Sequence, residues 1–297
     1  MPQAVVGDGI ELCWESTGEG TPLVLVMGIA AQLIHWPEGF VRLLADRGFR
    51  VIRFDNRDVG RSTWLDHLGR PPWARLAWGL ARRRPGVAPY TLWDMAEDTR
   101  GLLDVLGLHH VHLAGMSMGG MIAQCLALTH PERVVSLTSV SSTTGSRREP
   151  TGKLTILWTA AGPRPSEREG AIAHEIKLLR SLGSPQTPTP VEDLRALASA
   201  SFERGFHPEG VLRQAAAILA SGSRRRRLAG LAVPTLVLHG EDDPLIPVEC
   251  GRFTAAAIPG ARLVTFPGWG HDLPRPLWAA LVDAIAAHAN AAQEAIE

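Results

Sequence analysis

Apolar residues gather in short β-branched runs separated by longer stretches of mixed polarity. "PLVLVMG" (22–28), "RVIRFDN" (50–56), "HVHLAG" (110–115), "RVVSLTSVSS" (133–142), "PTLVLHG" (234–240) and "ARLVTFPG" (261–268) read as buried strands. Helix-like segments lie between them, around 36–48, 92–107, 118–130, 247–258 and 276–292. This alternation predicts a mostly parallel sheet with helices on both faces, and "ELCWEST" (11–17) adds antiparallel strands at the start.

Two segments interrupt the rhythm. The loop from Trp64 to Thr91 carries Trp73, Trp78 and "ARRRP", and Thr143 to about Ser223 has helical pieces but no convincing strand. An excursion of about 80 residues between strands is too long for a plain loop, so it reads as a helical cap over the strand ends. The expected division is a core of 1–142 and 224–297 with a cap inserted at 143–223, "SPQTPTPVED" (184–193) being a loop inside it. "SRRRRLAG" (223–230) reads as a solvated helix returning the chain to the sheet, not as an anion site.

With 297 residues, 45% of them hydrophobic, the chain can bury a large core. Lys+Arg and Asp+Glu both total 30, so no overall field draws it to nucleic acid or an anionic membrane, and a small-molecule partner is expected. "MPQAVVGDGI" lacks the pattern of a signal peptide, and no apolar run reaches the roughly 18 residues of a membrane span, so a soluble, cytoplasmic protein is expected. Cys13, Cys125 and Cys250 are odd in number and far apart, which suits buried small hydrophobes and not a disulfide framework or a zinc site.

Candidate chemistry centres on "HLAGMSMGGMIAQ" (112–124). Ser117 stands where a strand-like run becomes a helix-like one, flanked by Gly115 and Gly119 at minus and plus two, where side chains would collide in a tight turn. Such a G-x-S-x-G turn projects the serine hydroxyl beyond the strand end and leaves the Met118 N–H free to meet an anion. A serine needs a base to take its proton, and the base needs an orienting acid. His271, in "FPGWGHDLP" after the last strand, is the candidate base. The acid is expected from "LVLHGEDDPLIP", with Asp243 first, Asp242 as alternative and Glu241 in a solvated turn. The Ile29 N–H, in the turn after "PLVLVM", is expected to join that of Met118 in holding an oxyanion.

With these residues in view, the chain resembles the α/β-hydrolase superfamily, in the order serine, aspartate, histidine, from about residue 10 to 290 apart from the cap. "VMGIAAQLIHWP", "RVIRFDNRDVGRST", "GMSMGGMIAQ", "PTLVLHGEDDPLIP" and "PGWGHDLP" look most like the branch containing aclacinomycin methylesterase and related actinobacterial esterases. The resemblance implies the α/β-hydrolase fold, an eight-stranded, mostly parallel sheet with helices on both faces and a helical cap. By the same resemblance Ile29 replaces a glycine, keeping the backbone donor but narrowing the acyl side, and the turn lacks the HGGG run of the hormone-sensitive-lipase type, so esters of bulky tertiary alcohols should be poor substrates. "DNRDVGRST" (55–63) is read as structural, with Arg57 and Asp58 holding neighbouring loops.

The expected activity is a serine carboxylesterase on small to medium apolar or aryl esters, working without metal or organic cofactor, as a monomer or homodimer. Pocket walls are expected from the cap and the 64–91 loop, with Gly28, Trp36, Met116, Trp158 and Ile246 among them. Four alternatives share the fold: a methylesterase of a polyketide-type substrate, a carbon–carbon bond hydrolase, a cofactor-free haloperoxidase or perhydrolase, and a proline iminopeptidase. The last would need cap acids such as Glu167, Glu169 or Glu175 to hold an amine. A non-catalytic ligand receptor is the rival from another class.

Overall fold

The computed structural model describes residues 1–72, 74, 88–153 and 165–295, organised on one eight-stranded sheet. Its strands are β1 (Gln3–Gly7), β2 (Ile10–Thr17), β3 (Thr21–Val26), β4 (Phe49–Phe54), β5 (Val111–Met116), β6 (Val134–Val140), β7 (Thr235–Gly240) and β8 (Arg262–Phe266). They lie in the order β1-β2-β4-β3-β5-β6-β7-β8. β1 and β2, and β2 and β4, pair antiparallel, and the remaining pairings are parallel, so the antiparallel start and parallel body both match expectation.

β3 shows why the strands read as unbroken apolar runs. Successive strand side chains point to opposite faces, and here Val24 and Val26 enter one core cluster while Leu23 and Leu25 enter the other. With both faces covered, few positions are left for a polar residue. One face is covered by α2 (Leu92–Val105) and α3 (Met118–Thr129), the other by α1 (Glu38–Ala45) and α9 (Trp278–Glu294). α2 opens on a capping box, in which Thr91 and Asp94 satisfy each other's free backbone donors.

Between β6 and β7 the chain forms α4 (Arg168–Leu182), α5 (Val191–Gly205), α6 (Pro208–Ser221) and the single turn α7 (Arg225–Leu228). α4 and α5 share a small apolar cluster of Ile172, Ile176, Leu194 and Ala198. Buried ion pairs tie these helices to the "DNRDVG" loop after β4. Arg204 of α5 donates to Asp55 at 2.6 Å, and Arg213 of α6 grips both oxygens of Asp58 at 2.7 and 2.8 Å. Arg57, expected to hold a neighbouring loop, instead grips a helix, donating to both oxygens of Asp98 on α2 at 2.5 and 2.6 Å.

The basic run departs from expectation. Arg224 is 1% exposed, drawn inward because its guanidinium donates to Gln124 Oε1 at 3.0 Å and to the Thr143 carbonyl at 2.9 Å. Arg226 and Arg227 stay exposed, the latter 4.5 Å over Trp93. Among the described residues no helix is long and apolar enough to cross a membrane. α8 (Val248–Ala257) packs against β7 and β8 and completes the fold.

Candidate active site

β5 lies between β3 and β6 in the middle of the sheet and ends at Ser117, where α3 begins. Ser117 has φ +57 and ψ −122, a conformation L-residues avoid at a cost of about 1–3 kcal/mol. The surroundings impose it: the Ser117 N–H donates to the Val140 carbonyl at 2.9 Å, and Ser142 Oγ donates to the Ser117 carbonyl at 2.8 Å. A Cβ on Gly115 would stand 2.2 Å from the Gly119 carbonyl oxygen, and one on Gly119 would stand 2.0 Å from that of Val26. Backbone cannot yield as a side-chain tip can, so glycine at these two positions is a steric requirement of the turn.

His271 and Asp243 come from the ends of β8 and β7 and meet, His271 Nδ1 lying 2.6 Å from Asp243 Oδ2. The other oxygen of Asp243 accepts the N–H groups of Leu245 and Ile246 at 2.9 and 2.8 Å, which fixes the carboxylate plane. With Nδ1 engaged, Nε2 is the nitrogen left to accept a proton. Asp242 takes a different task, accepting the Gly268 N–H at 2.8 Å, and Glu241 accepts from Thr265 Oγ1 at 2.7 Å. Helix α4 reaches this turn too: the His271 N–H donates to the Leu182 carbonyl at 2.7 Å, and the Gly270 N–H to Ser184 Oγ at 2.9 Å.

Two further buried histidines, His239 and His112, are engaged within the sheet. His239 is buried within β7, its Nε2 2.8 Å from the Ile246 carbonyl, and burial pushes its pKa down. His112 is buried in β5 beside Ser136 Oγ at 2.8 Å, with its pKa pushed down to about 4 by desolvation.

Ser117 and His271 are 7% and 8% exposed and line one cavity of about 1410 Å³. No direct hydrogen bond joins them, a contact that in such sites often tightens only around bound substrate. The turn after β3 lies against the serine: a Cβ on Gly28 would be 3.1 Å from Ser117 Cβ and 3.5 Å from Oγ. Ile29 and Gly28 line the cavity, and among the described residues no hydrogen bond engages the N–H of Ile29 or of Met118. The Met118 N–H stands at the positive end of α3. Leu178, Leu179 and Leu182 of α4, Leu194 and Leu197 of α5, and Trp278 supply much of the apolar wall. Glu175 lines the cavity as well, whereas Glu167 and Glu169 are exposed away from it.

Of the expected pocket residues, Gly28 and Met116 line the cavity and two do not. Trp36 is wholly buried, stacked 5.7 Å from Phe40 in the layer that α1 and α9 form against the sheet, where so large an apolar ring gains most. Ile246 packs in the core beneath β7 and serves the site through its backbone N–H on Asp243. Trp158, Trp73 and Trp78 lie outside the described residues.

Sequence reading missed Gln214 and Ser184. Gln214 is fully buried on α6, with Oε1 accepting the Ala30 N–H at 2.9 Å. Its one trace in the sequence is a polar pair, Arg213-Gln214, inside the otherwise apolar "VLRQAAAILA". Among the described residues no group of three or more His, Cys, Asp or Glu is arranged to hold a metal ion.

Comparison with known proteins shows what the chain is similar to. Rhodomycin D methylesterase DauP of Streptomyces sp. (strain C5) is 28% identical, over 98% of this chain and 99% of that protein. The poly(3-hydroxyalkanoate) depolymerase of Ectopseudomonas oleovorans is 32% identical, over 82% of this chain and 75% of that one. The enol-lactonase from Burkholderia xenovorans LB400 shares the fold with a TM-score of 0.74 at 24% identity, covering 97% of this chain and all of that one. The pattern of the alpha/beta hydrolase fold family matches residues 21–274, and the chain belongs to that family.

Proposed function

We propose that this chain is a serine carboxylic ester hydrolase. Ser117 attacks the ester carbonyl while His271 Nε2 takes its proton, and Asp243 holds the imidazole in the required tautomer and stabilises the imidazolium. The tetrahedral oxyanion rests on the N–H groups of Ile29 and Met118. Collapse expels the alcohol as His271 returns the proton, and water activated by the same imidazole releases the acid. No step calls for a metal or an organic cofactor. The observation that carries this reading is the strained Ser117, which shares its cavity with the His271–Asp243 pair at 2.6 Å. In the same reading the helices over 143–223 act as a cap, and the enzyme works in the cytoplasm as a monomer or homodimer on soluble esters.

Small to medium apolar or aryl esters follow from the apolar walls. A second reading, a methylesterase of a bulky polycyclic acid, is favoured by the cavity itself. At about 1410 Å³ it exceeds the roughly 300–1,000 Å³ usual for small-molecule sites.

The test is hydrolysis of p-nitrophenyl esters from acetate to palmitate, beside methyl esters of simple and polycyclic aromatic acids, by the native chain and by Ser117→Ala. Turnover lost by about a thousandfold or more in a folded Ser117→Ala supports the mechanism. Equal activity in both proteins sinks it. A preference for the polycyclic methyl ester selects the second reading.

A further inference from the structure

Gln214 bridges two backbone segments, the turn after β3 and the loop after β4. Its Oε1 accepts the Ala30 N–H at 2.9 Å, and its Nε2 donates to the Arg57 carbonyl at 2.8 Å. Ala30 follows Ile29 and has φ +63, which a residue with a side chain keeps only where its neighbours enforce it. On the other side of the turn, Asn56 Nδ2 donates to the Met27 carbonyl at 3.0 Å. The peptide that carries the Ile29 N–H therefore sits between two held peptides. Asn56 holds the one before it, from the loop after β4, and Gln214 holds the one after it, from α6.

Gln32 repeats the pattern, donating from Nε2 to the Ser201 carbonyl of α5 at 2.7 Å and accepting from Arg204 Nε at 2.8 Å. The turn's C-terminal half is thus fastened to the inserted helices and not to the sheet. Beside Gln214, Arg213 fastens the same helix to Asp58.

We infer that Gln214 is a positioning residue for the oxyanion turn, so that alignment of the Ile29 N–H depends on α6 being docked. The inference rests on the ester hydrolase reading. Its physical basis is preorganisation: a donor aimed in advance at the developing oxyanion stabilises the transition state and leaves ground-state binding little changed.

The experiment compares the native full-length chain with Gln214→Met, which removes both hydrogen bonds at similar volume, and Gln214→Glu. A protonated glutamic acid can still accept from Ala30 and donate to Arg57; its anion cannot donate. Measured are kcat and KM on p-nitrophenyl butyrate, the affinity for phenylboronic acid as a tetrahedral mimic, and the melting temperature. For Gln214→Met we expect kcat lower by about 10–100-fold, KM within about twofold, and boronate affinity weaker by the same factor as kcat. For Gln214→Glu, activity relative to native should be highest at acid pH and fall as the acid ionises. A folded Gln214→Met with native kcat and native boronate affinity overturns the inference. If that variant does not fold, a pH-independent ratio for Gln214→Glu overturns it instead. A native chain that binds phenylboronate yet hydrolyses no ester refutes the ester reading, and the boronate affinities still decide the role of Gln214.

Discussion

The carboxylate of Asp243 meets the imidazole of His271 at 2.6 Å, while Asp242, one residue earlier, is committed to the Gly268 N–H at 2.8 Å. Adjacent residues at a strand end point apart, so only one of two chemically identical groups can reach the histidine. In the proposed mechanism Asp243→Asn strands His271 in the wrong tautomer, and kcat should fall by about 10³–10⁴-fold with the fold intact. Asp242→Asn keeps an amide oxygen to accept from the Gly268 N–H and should cost less than about tenfold. Steady-state ester hydrolysis by the two variants decides it, and a larger loss in Asp242→Asn would reverse the assignment.

Arg213 and Asp58 are 1% and 0% exposed and joined by two hydrogen bonds, so removing Arg213 leaves the buried Asp58 carboxylate without its guanidinium. Arg213→Met should destabilise the chain by about 3–5 kcal/mol in urea unfolding, and adding Asp58→Asn should recover part of that loss. The exposed pair Arg42–Glu38 is the contrast, since Arg42→Met should change stability by less than about 0.5 kcal/mol. Equal effects at the two sites would show that burial does not set the cost.

His112 links stability to pH. Burial in β5 pushes its pKa down to about 4 in the native chain, against an ordinary value near 6.5. Between those values the unfolded chain binds a proton that the native one refuses. Stability from this group is therefore full above pH of about 6.5 and declines as pH falls toward about 4. From about pH 7 to about pH 4.5 the loss is about 2–3 kcal/mol. Denaturant titrations of the native chain and His112→Gln at both pH values measure the difference. If the variant shows the same acid loss as the native chain, His112 is not its source.

Some of the site was legible because its constraints are local. Gly115, Ser117 and Gly119 lie within five residues, and the collisions that demand glycine there are with the turn's own backbone and the neighbouring strand. Apolar runs such as "PLVLVMG" named the strands because burial on both faces leaves few polar positions. Trp36 was misjudged as a pocket wall for the opposite reason: a tryptophan near a candidate site has no local mark that says which side of the sheet will take it.

The sequence by itself determined the alternation of strands and helices, the strained serine turn, and the histidine after the last strand, since each follows from period, chain order or short-range sterics. Tertiary structure alone decided which acid meets His271, which residues wall the cavity, and that Gln214 and Ala30, 184 positions apart, share a hydrogen bond. Such pairings depend on how helices from a long insertion dock onto the sheet. Docking is settled by summed packing and by buried charges finding their partners, and no short stretch of chain records it.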